Sequence, residues 1–591
     1  MTVFDSFQPI AAICPIPDTA FASFCQENSI SILTNDRLTL KELLEENWDK
    51  YRAFVFLLAT GAVIRLIAPL LRDKASDPAV IVLDPTLQFA ISLCGGHGGN
   101  GDRLTALIAS QLDATAIITS ASTALKLPEI DRMGIPFGWK KGAGDWTGVS
   151  AAIVRREPVQ VIQEAGSPLW QEHLPRDHSF HFDPEGGEYK GRVWIGFTRR
   201  QFSPDSSLSK VQWHPRVLWV GIGCIRGTTR EAIETAIETV FQRYHLATES
   251  IAGLVSIDLK ADEVGLLEYC REKNLPLKTF TAEELQAIEV PNPSEVVAKE
   301  VGTPSVAEAS ALKMGEKLLV PKQIESEAVT IAVSVSEREY LDREGQIWLV
   351  GTGPGRLDQM TSAAKAALRE ADVIIGYSLY VDLIRPLTRA GQILEALPIT
   401  KEKERAIRAI DLARWGLTVA VISSGDSGIY GMAGLVMEQL QGTGWDGKSP
   451  KVRVFPGITA MQGLASRIGA PLMHDFCAIS LSDLLTPREV IIKRLEAAAM
   501  GDFVTALYNP RSNTRTELIV TAREIFLKYR DPATPVAIGR DVYREDEEIA
   551  ITTLGEMLNG AIDMLTVILI GNSRTRQHAD WLITPRGYEI G

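Results

Sequence analysis

The sequence lacks an excess of positive charge, a paired set of cysteines and any apolar run long enough to cross a bilayer. Its 61 lysines and arginines stand against 74 acidic residues, and the formal net charge of −13 argues against a nucleic-acid partner, which needs a basic face. The six cysteines are scattered without the spacing of a zinc site or a disulfide framework. We therefore expect no metal site, no signal sequence and no attachment to a membrane.

The composition that remains is that of a large soluble protein. The chain has 591 residues, of which 45% are hydrophobic and 23% are charged. At roughly 100–200 residues per domain, this length predicts several domains. We find no internal repeat and no low-complexity tract. The composition therefore supports a cytoplasmic, multi-domain enzyme.

The strongest local signal is a glycine and proline turn between an apolar strand and a helix, in residues 346–361. Glycine permits positive φ and a close approach of the backbone to a ligand, and Pro354 removes a competing N–H group. We predict that Thr361 caps a helix over residues 362–370. Such a turn is also compatible with a plain strand-to-helix connection, because it lacks the third glycine and the later acidic residue of a dinucleotide site.

Three more motifs follow in the same segment: residues 423–431 (Ser-Ser-Gly-Asp-Ser-Gly-Ile-Tyr-Gly), 455–460 (Phe-Pro-Gly-Ile-Thr-Ala) and 507–512 (Leu-Tyr-Asn-Pro-Arg-Ser). Their order and spacing resemble the tetrapyrrole methylase family. Residues 371–377, 474–476, 479–487 and 583–588 resemble its precorrin-3B carbon-17 methyltransferase branch. The resemblance implies two α/β lobes with a cleft between them that binds S-adenosyl-L-methionine. It also implies methylation of precorrin-3B or cobalt-factor III at ring carbon 17, with ring contraction.

The resemblance also implies which residues contact the cofactor: Pro354, Ser424, Gly425, Asp426, Ile429, Thr459, Ala460 and Asn509. Asp426 follows a glycine at a strand end, where it can accept hydrogen bonds from the cofactor or form an Asx-turn. Methyl transfer from a sulfonium needs no metal or covalent nucleophile, because alignment of the acceptor supplies much of the rate. The polar residues that we would test for catalysis are Asp358, His474, Asp475 and Tyr377.

The residues before 346 carry a second set of motifs. Residues 218–229 again predict a strand, a glycine turn and a helix, and Thr228 with Glu231 predicts a capping box. Together with residues 256–263, 302–309, 59–65 and 93–102, they resemble the cobalt-precorrin-5A hydrolases of the cobalamin pathway. That resemblance implies opening of a ring lactone with release of acetaldehyde.

His97 is the catalytic candidate of this amino-terminal half. It lies among glycines that admit a bulky substrate, and imidazole acts as a general acid or base near neutral pH. The alternative is a hydrogen-bonded loop histidine, and the residues after His97 depart from the family pattern of Gly-His, one variable residue and Gly-Gly-Ala-Asn. Arg65 and Arg226 are candidates for binding acidic side arms. Glu308 is either a base or the capping partner of Ser305.

Composition and motifs also predict the domain boundaries. We expect hydrolase-like amino-terminal, middle and carboxyl-terminal domains at 1–130, 131–216 and 217–334, a linker at 335–345, and a methylase domain at 346–591 with lobes of about 346–472 and 473–591. The linker is dense in charges of both signs and therefore reads as solvated. Further candidates for binding a polycarboxylate ring are Arg199, Arg200, Arg511 and Arg515.

These resemblances together predict a fusion that serves corrin ring construction. They imply tetrapyrrole (precorrin) substrates, cobalt only as part of the substrate, and a homodimer through the methylase domain. One alternative is a methylase of the ribosomal-RNA or diphthamide groups, which the net charge of −13 disfavours. Another is that residues 1–334 form a non-catalytic scaffold that binds corrin intermediates.

Overall fold

The computed structural model describes residues 4, 7–15, 18–34, 37–72, 76–95, 101–119, 129–174, 177–182, 187–203, 206–326, 328–389, 391–512 and 514–588. These residues form a mixed α/β protein, as the sequence predicts, with six β-sheets. One compact unit comprises residues 1–345, 389–393 and 412–418, and a second comprises 346–388, 394–411 and 419–591. His97 lies outside the described residues.

The first sheet has six strands in the spatial order second, first, third, fourth, fifth, sixth. The strands are Ile10–Ile13, Ser31–Ile32, Ala53–Leu57, Ala79–Leu83, Phe89–Cys94 and Thr115–Ile117, and the helices are Thr19–Glu27, Leu40–Asn47, Thr60–Ile67 and Gly101–Leu112. All pairs are parallel except the antiparallel pair of the fourth and fifth strands. The fourth strand is buried throughout, which explains its continuous apolar run.

The second sheet has five strands in the order first, fifth, fourth, second, third. They are Lys140–Gly144, Val159–Gln163, Phe180–His181, Gly191–Ile195 and Ser209–His214, with an α-helix at Trp146–Val154 and a 3₁₀-helix at Pro168–His173. The first strand pairs antiparallel with the fifth, and the other pairs are parallel.

The third sheet has five strands in the order third, second, first, fifth, fourth. Its strands are Leu218–Cys224, Ile251–Ile257, Leu277–Phe280, Lys317–Ser326 and Val329–Val335; its α-helices are Arg230–Arg243, Val264–Lys273, Ala282–Gln286, Glu295–Val301 and Val306–Met314; and its 3₁₀-helices are Thr248–Ser250 and Asp258–Lys260. Helix Arg230–Arg243 packs one apolar stripe on this sheet, and Ile233, Ile237 and Val240 on that stripe are fully buried.

The fourth sheet, in the carboxyl-terminal part, has five strands in the order third, second, fourth, first, fifth. They are Gln346–Gly351, Val373–Tyr377, Ile393–Leu397, Thr418–Ser423 and Lys451–Phe455; the accompanying α-helices are Ser362–Glu370, Ser378–Ile384, Glu402–Trp415, Ala433–Gly442 and Ala460–Ile468; and the 3₁₀-helices are Leu357–Gln359 and Arg385–Leu387.

Two further sheets complete the chain. One has five strands in the order first, second, fifth, third, fourth, and the other has three. The five are Phe476–Ser480, Val504–Tyr508, Pro535–Arg540, Glu548–Thr553 and Thr566–Ile570, and the three are Gly469–Ala470, Arg576–His578 and Trp581–Ile583; the helices are Arg488–Met500, Leu518–Leu527 and the 3₁₀-helix Met557–Asn559. The central strand Thr566–Ile570 is fully buried.

Two predicted helix caps have different outcomes. Thr361 caps helix Ser362–Glu370 as predicted, because its side chain accepts a hydrogen bond from the N–H of Ala364. The predicted capping box of Thr228 is wrong. Thr229 is the N-cap of helix Arg230–Arg243, and the Thr228 hydroxyl donates instead to the carbonyl of Ile225. Adjacent threonines offer the same capping chemistry, so the sequence pattern is ambiguous by one residue.

The stretch predicted as a solvated connector is only partly solvated: residues 337–338 and 342–344 are exposed, and others pack into the first unit. Glu339 is 2% exposed and Leu341 is 7% exposed. The Glu339 carboxylate accepts hydrogen bonds from the Trp139 indole and from the N–H of Ser167. Burial raises the pKa of Glu339. Its partners are far away in the sequence, so the local charge density was a poor guide to solvation.

Among the residues that the structure describes, no helix is both long and apolar enough to cross a membrane.

Candidate functional site

A polar pocket lies in the second unit, at loops that follow strands of the fourth sheet and of the five-stranded sheet that begins at Phe476. Its volume is about 160 Å³. Pro354, Ser424 and Thr459 come from loops after three strands of the fourth sheet, and Asn509 and Asp541 follow two strands of the sheet that begins at Phe476. Loops at strand ends are the usual place for ligand contacts in α/β proteins.

The glycine loops of the fourth sheet are joined by a small backbone bridge. The N–H of Gly353 donates to the carbonyl of Gly425 at 3.1 Å, and the N–H of Gly425 donates to the carbonyl of Gly353 at 2.8 Å. Both residues have positive φ, of +72° and +69°. Glycine adopts this conformation without steric strain, so the predicted turn forms as the sequence indicates at these two positions.

Gly457 allows a third loop to meet the other two. A β-carbon at this position would lie 2.1 Å from the carbonyl oxygen of Gly425 and 2.8 Å from the carbonyl carbon of Gly351. Neither backbone atom can rotate away as a side chain would. The three loops can therefore approach one another only because glycine stands at this contact.

Asp426 joins two of these loops through hydrogen bonds. One carboxylate oxygen accepts a hydrogen bond from the N–H of Gly428 at 2.8 Å, which is an Asx-turn, and the other accepts from the N–H of Gly457 at 2.9 Å. Asp426 is not among the residues that line the pocket. The geometry therefore favours the Asx-turn over direct contact with a cofactor.

We expect Asp426→Asn to lower the free energy of unfolding by about 1–3 kcal/mol, because an amide nitrogen would face one of two backbone donors. Chemical denaturation of the full chain measures this change. Asp446→Asn is the matched control. The Oδ1 of Asp446 accepts hydrogen bonds from the N–H groups of both Lys448 and Ser449, and asparagine retains this oxygen. Equal stability of both variants with wild type would contradict the role that we give to Asp426.

Tyrosines form another part of the pocket. The Tyr508 hydroxyl lies 2.6 Å from Oγ1 of Thr459 and accepts a hydrogen bond from the N–H of Met461 at 3.0 Å, so it holds the start of helix Ala460–Ile468. Burial raises the pKa of Tyr508. The ring of Tyr430 lies beside it, with centroids 5.0 Å apart. Such aromatic pairs give an apolar wall with defined geometry.

An ion pair of low exposure supplies the charge of the pocket. Arg544 and Asp541 have side chains that are 14% and 10% exposed, and Nη1 of Arg544 donates to the Asp541 carboxylate at 2.9 Å. The Nε of Arg544 is buried and has no hydrogen-bond partner within the described part of the chain. A buried donor left unpaired is unfavourable, and the Arg544 side chain that carries it lines the pocket.

The backbone around the pocket departs from the common regions of φ and ψ. Tyr430, Asn509, Asp541 and Tyr543 have φ between +47° and +62°. These are four of the twelve non-glycine residues with positive φ in the described ranges. Such conformations persist where the surrounding packing imposes them, and they cluster at functional sites.

Seven of the eight residues predicted to contact a cofactor line this pocket: Pro354, Ser424, Gly425, Ile429, Thr459, Ala460 and Asn509. The structure thus brings them together, and their binding of a cofactor stays a prediction. The lining does not include Asp358, which pairs with Arg356 at 2.6 Å. Nor does it include His474, whose Nδ1 accepts from the N–H of Asp475 at 2.8 Å.

Sequence reasoning missed several lining residues, namely Tyr380, Tyr430, Tyr508, Asp541 and Arg544. A signal for Asp541 and Arg544 was present, because they directly follow the apolar strand Pro535–Arg540. Polar residues after a strand are candidates by the same argument that applies to the glycine turn. No spacing in the sequence indicates that Arg544 lies near Ser424, since 120 residues separate them.

The candidates of the amino-terminal half have their own partners. Arg65 donates to the carbonyl of Gly61 within its helix, and Arg226 pairs with Asp262 at 2.6 Å. The fully buried Glu308 carboxylate accepts from the backbone and side chain of Asn292 and from the N–H of Lys322. Ser305 caps the N–H of Glu308, but the Glu308 side chain does not complete a capping box. These bonds give Glu308 a structural role.

The strand-end pocket and its ion pair of low exposure mark the carboxyl-terminal part as an α/β ligand-binding domain. Family models match four segments of the chain: Cobalamin synthesis G N-terminal at 42–123, Cobalamin biosynthesis central region at 128–215, Cobalamin synthesis G C-terminus at 218–334, and Tetrapyrrole (Corrin/Porphyrin) Methylases at 346–558.

Relatives match both parts. A cobalt-factor III methyltransferase of Priestia megaterium is 51% identical over 42% of this chain and 46% of its own length. A probable cobalt-factor III C(17)-methyltransferase of Salmonella typhimurium is 44% identical over 41% of this chain and 99% of its own length. A cobalt-precorrin-5A hydrolase of Priestia megaterium is 33% identical over 52% of this chain and 84% of its own length. The chain thus spans about half of the first relative.

The chain belongs to the tetrapyrrole methylase family in its carboxyl-terminal part and to the cobalamin synthesis G family in its amino-terminal part. Both resemblances predicted from the sequence motifs are confirmed.

Proposed function

We propose that this chain methylates a tetrapyrrole at ring carbon 17 with S-adenosylmethionine as methyl donor, with ring contraction, during corrin ring construction. We propose also that its amino-terminal half opens the lactone of cobalt-precorrin-5A. The support is the identity to relatives named for these substrates, over 99% of one and 84% of another. The methyl acceptor is cobalt-factor III, with metal-free precorrin-3B as the alternative, and cobalt enters only within the substrate.

The donors and acceptors of the pocket fit S-adenosylmethionine. That molecule carries a carboxylate, an ammonium group, ribose hydroxyls and a hydrogen-bonding adenine edge. Arg544 and Asp541 offer opposite charges side by side, and the unpaired buried Nε of Arg544 suits a ligand oxygen. The observation that carries the proposal of this cofactor is that seven of the eight residues implied by the family resemblance line one pocket.

The pocket volume defines how much of the cofactor is enclosed. About 160 Å³ is smaller than the roughly 300–1,000 Å³ of sites that enclose a whole small molecule. Ile429 and Tyr430 line the pocket and are 40% and 52% exposed. We therefore expect part of the cofactor to extend to this rim, where these side chains cover it.

Bound S-adenosylmethionine supplies a methyl group on a sulfonium, so the leaving group is already activated. The contribution of the chain is to bind, orient and exclude water. Asp426 holds the loops of Gly428 and Gly457 in place. Tyr508 orients Thr459 and the start of the following helix through its hydroxyl.

The test is to incubate the full chain with each substrate and to measure product mass and released acetaldehyde. We expect S-adenosylmethionine and cobalt-factor III or precorrin-3B to give a product heavier by one methyl group. We expect cobalt-precorrin-5A to release acetaldehyde without S-adenosylmethionine. Failure of methyl transfer to both acceptors would overturn the first activity. Binding of cobalt-precorrin-5A without release would replace the second activity with the scaffold function.

We further propose that the chain acts in the cytoplasm as a homodimer through its methylase part. Light scattering would give twice the chain mass of 64.7 kDa for the dimer. A mass equal to one chain would contradict it.

A further inference from the structure

A second pocket, separate from the one described above, lies against the third sheet in the first unit. Its volume is about 630 Å³, within the range of small-molecule sites. Its lining comes from the ends of strands Leu218–Cys224 and Ile251–Ile257, from helix Glu295–Val301 and from the pair of strands Lys317–Ser326 and Val329–Val335. Arg226, a sequence candidate for binding acidic side arms, lies in its lining.

The walls of this pocket are apolar side chains that water reaches. Ile225, Leu259 and Ile324 line it and are 60%, 54% and 71% exposed. Single exposed aliphatic residues are ordinary, but a group of them around one cavity marks a surface that a ligand covers. The ligand therefore has a sizeable apolar face.

Three cations stand among these apolar residues. Lys322 donates to the carbonyl of Asn292 at 2.9 Å, and no carboxylate in the described part of the chain pairs with it. Lys260 pairs with Glu263 at 3.2 Å and Arg226 pairs with Asp262 at 2.6 Å.

Neither of these two acids lines the pocket, and Glu300 is the acidic residue that does. The lining thus carries two cations that are held in ion pairs, one acidic residue, and Lys322, which no described carboxylate pairs with. An available cation beside apolar walls suits a ligand that carries carboxylates on an apolar body.

We propose that this pocket binds a tetrapyrrole through one apolar face of its ring and through its carboxylate side arms. The inference rests on the proposed function of the amino-terminal half, for which it names the substrate-binding site. Lys322 contacts a side-arm carboxylate, because it is the lining cation that no carboxylate pairs with in the described ranges. Ile225, Leu259 and Ile324 cover the ring face.

Cys224 provides a local readout of occupancy. It lines the pocket and is partly exposed, and burial raises the pKa of its thiol, so alkylation with iodoacetamide is run at alkaline pH. The probe is dicyanocobyrinic acid, a corrin with carboxylate side arms whose cobalt carries two cyanide ligands. Mass spectrometry of peptides follows Cys224 and, as an internal reference in the other unit, Cys477.

We expect dicyanocobyrinic acid at about ten times its Kd to slow alkylation of Cys224 by about tenfold, as for any site with that occupancy. Cys477 should be unaffected. Dicyanocobinamide, whose side arms are amides, should protect Cys224 far less. Equal alkylation of Cys224 with and without dicyanocobyrinic acid would overturn the proposal.

Variants test the named contacts. Lys322→Glu should raise the Kd of dicyanocobyrinic acid, measured from the protection of Cys224, by about tenfold or more. The reason is that it sets a like charge against a carboxylate of the ligand. Lys317→Glu is the matched control, since Lys317 lies in the same strand, is exposed and does not line the pocket. Ile324→Asp alters the apolar wall at a position that is 71% exposed, so it tests the ring contact without a core defect. Protection equal to wild type in both Lys322→Glu and Ile324→Asp would refute the assignment.

Acetaldehyde release, measured on the same preparations, separates this proposal from the proposed function. Protection of Cys224 without release from cobalt-precorrin-5A would support the pocket and remove the hydrolase activity. Release that is unchanged by Lys322→Glu and Ile324→Asp would support the activity and overturn the pocket.

Discussion

Gly457→Ala should reduce binding of S-adenosylmethionine by roughly 10- to 100-fold and lower the free energy of unfolding by about 1–3 kcal/mol, the range for overpacking a close contact. The added β-carbon would lie 2.1 Å from the carbonyl oxygen of Gly425. The loops after three strands would have to separate, and these loops contribute to the pocket lining. Titration calorimetry and chemical denaturation measure the two effects.

Gly434→Ala is the control for this substitution. Gly434 lies in helix Ala433–Gly442, where an added β-carbon meets no atom within 4 Å. Alanine there should leave binding unchanged and stabilise the helix by about 0.5–1 kcal/mol. Normal cofactor binding by Gly457→Ala would show that the close approach of the loops is not needed for the site.

Arg544→Gln should weaken S-adenosylmethionine binding by about 1.5–3 kcal/mol, the range for a hydrogen bond to a charged group, or roughly 10- to 150-fold. Glutamine removes the guanidinium that carries the unpaired Nε and that pairs with Asp541. Arg544→Lys keeps the charge and loses the fixed fork of donors, so it should recover only part of the affinity.

The control is Arg488→Gln, since Arg488 pairs with Glu517, is 42% exposed and does not line the pocket. Calorimetry on all three variants gives the comparison. Wild-type affinity in Arg544→Gln would show that the ligand leaves Nε unpaired.

The parts of the fold that the sequence predicted well are those set by neighbouring residues. Helix Ser362–Glu370 begins at the predicted cap because Thr361 bonds to an N–H only three residues away. The positive φ values of Gly353 and Gly425 likewise follow from residue type. The family motifs also lie in separate loops, and seven of the eight contact residues that they imply line one pocket.

What the sequence could not provide were contacts between distant segments. Glu339 reads as one charge in a solvated run, yet its partners are Trp139 and Ser167. Asp426 reads as a cofactor ligand, yet its second oxygen bonds to Gly457, which is 31 residues away. In both cases side-chain chemistry was predictable, whereas the identity of the partner depended on how strands are ordered in space.

The positive φ angles of Tyr430, Asn509, Asp541 and Tyr543 have a consequence for how tightly a small ligand can be held. Backbone in this region is unfavourable for such residues by about 1 kcal/mol or more each, so packing elsewhere in the unit must enforce it. A ligand that enters therefore meets segments whose conformational freedom has already been lost on folding. Little ordering entropy remains to oppose association, and a larger share of each contact appears as affinity.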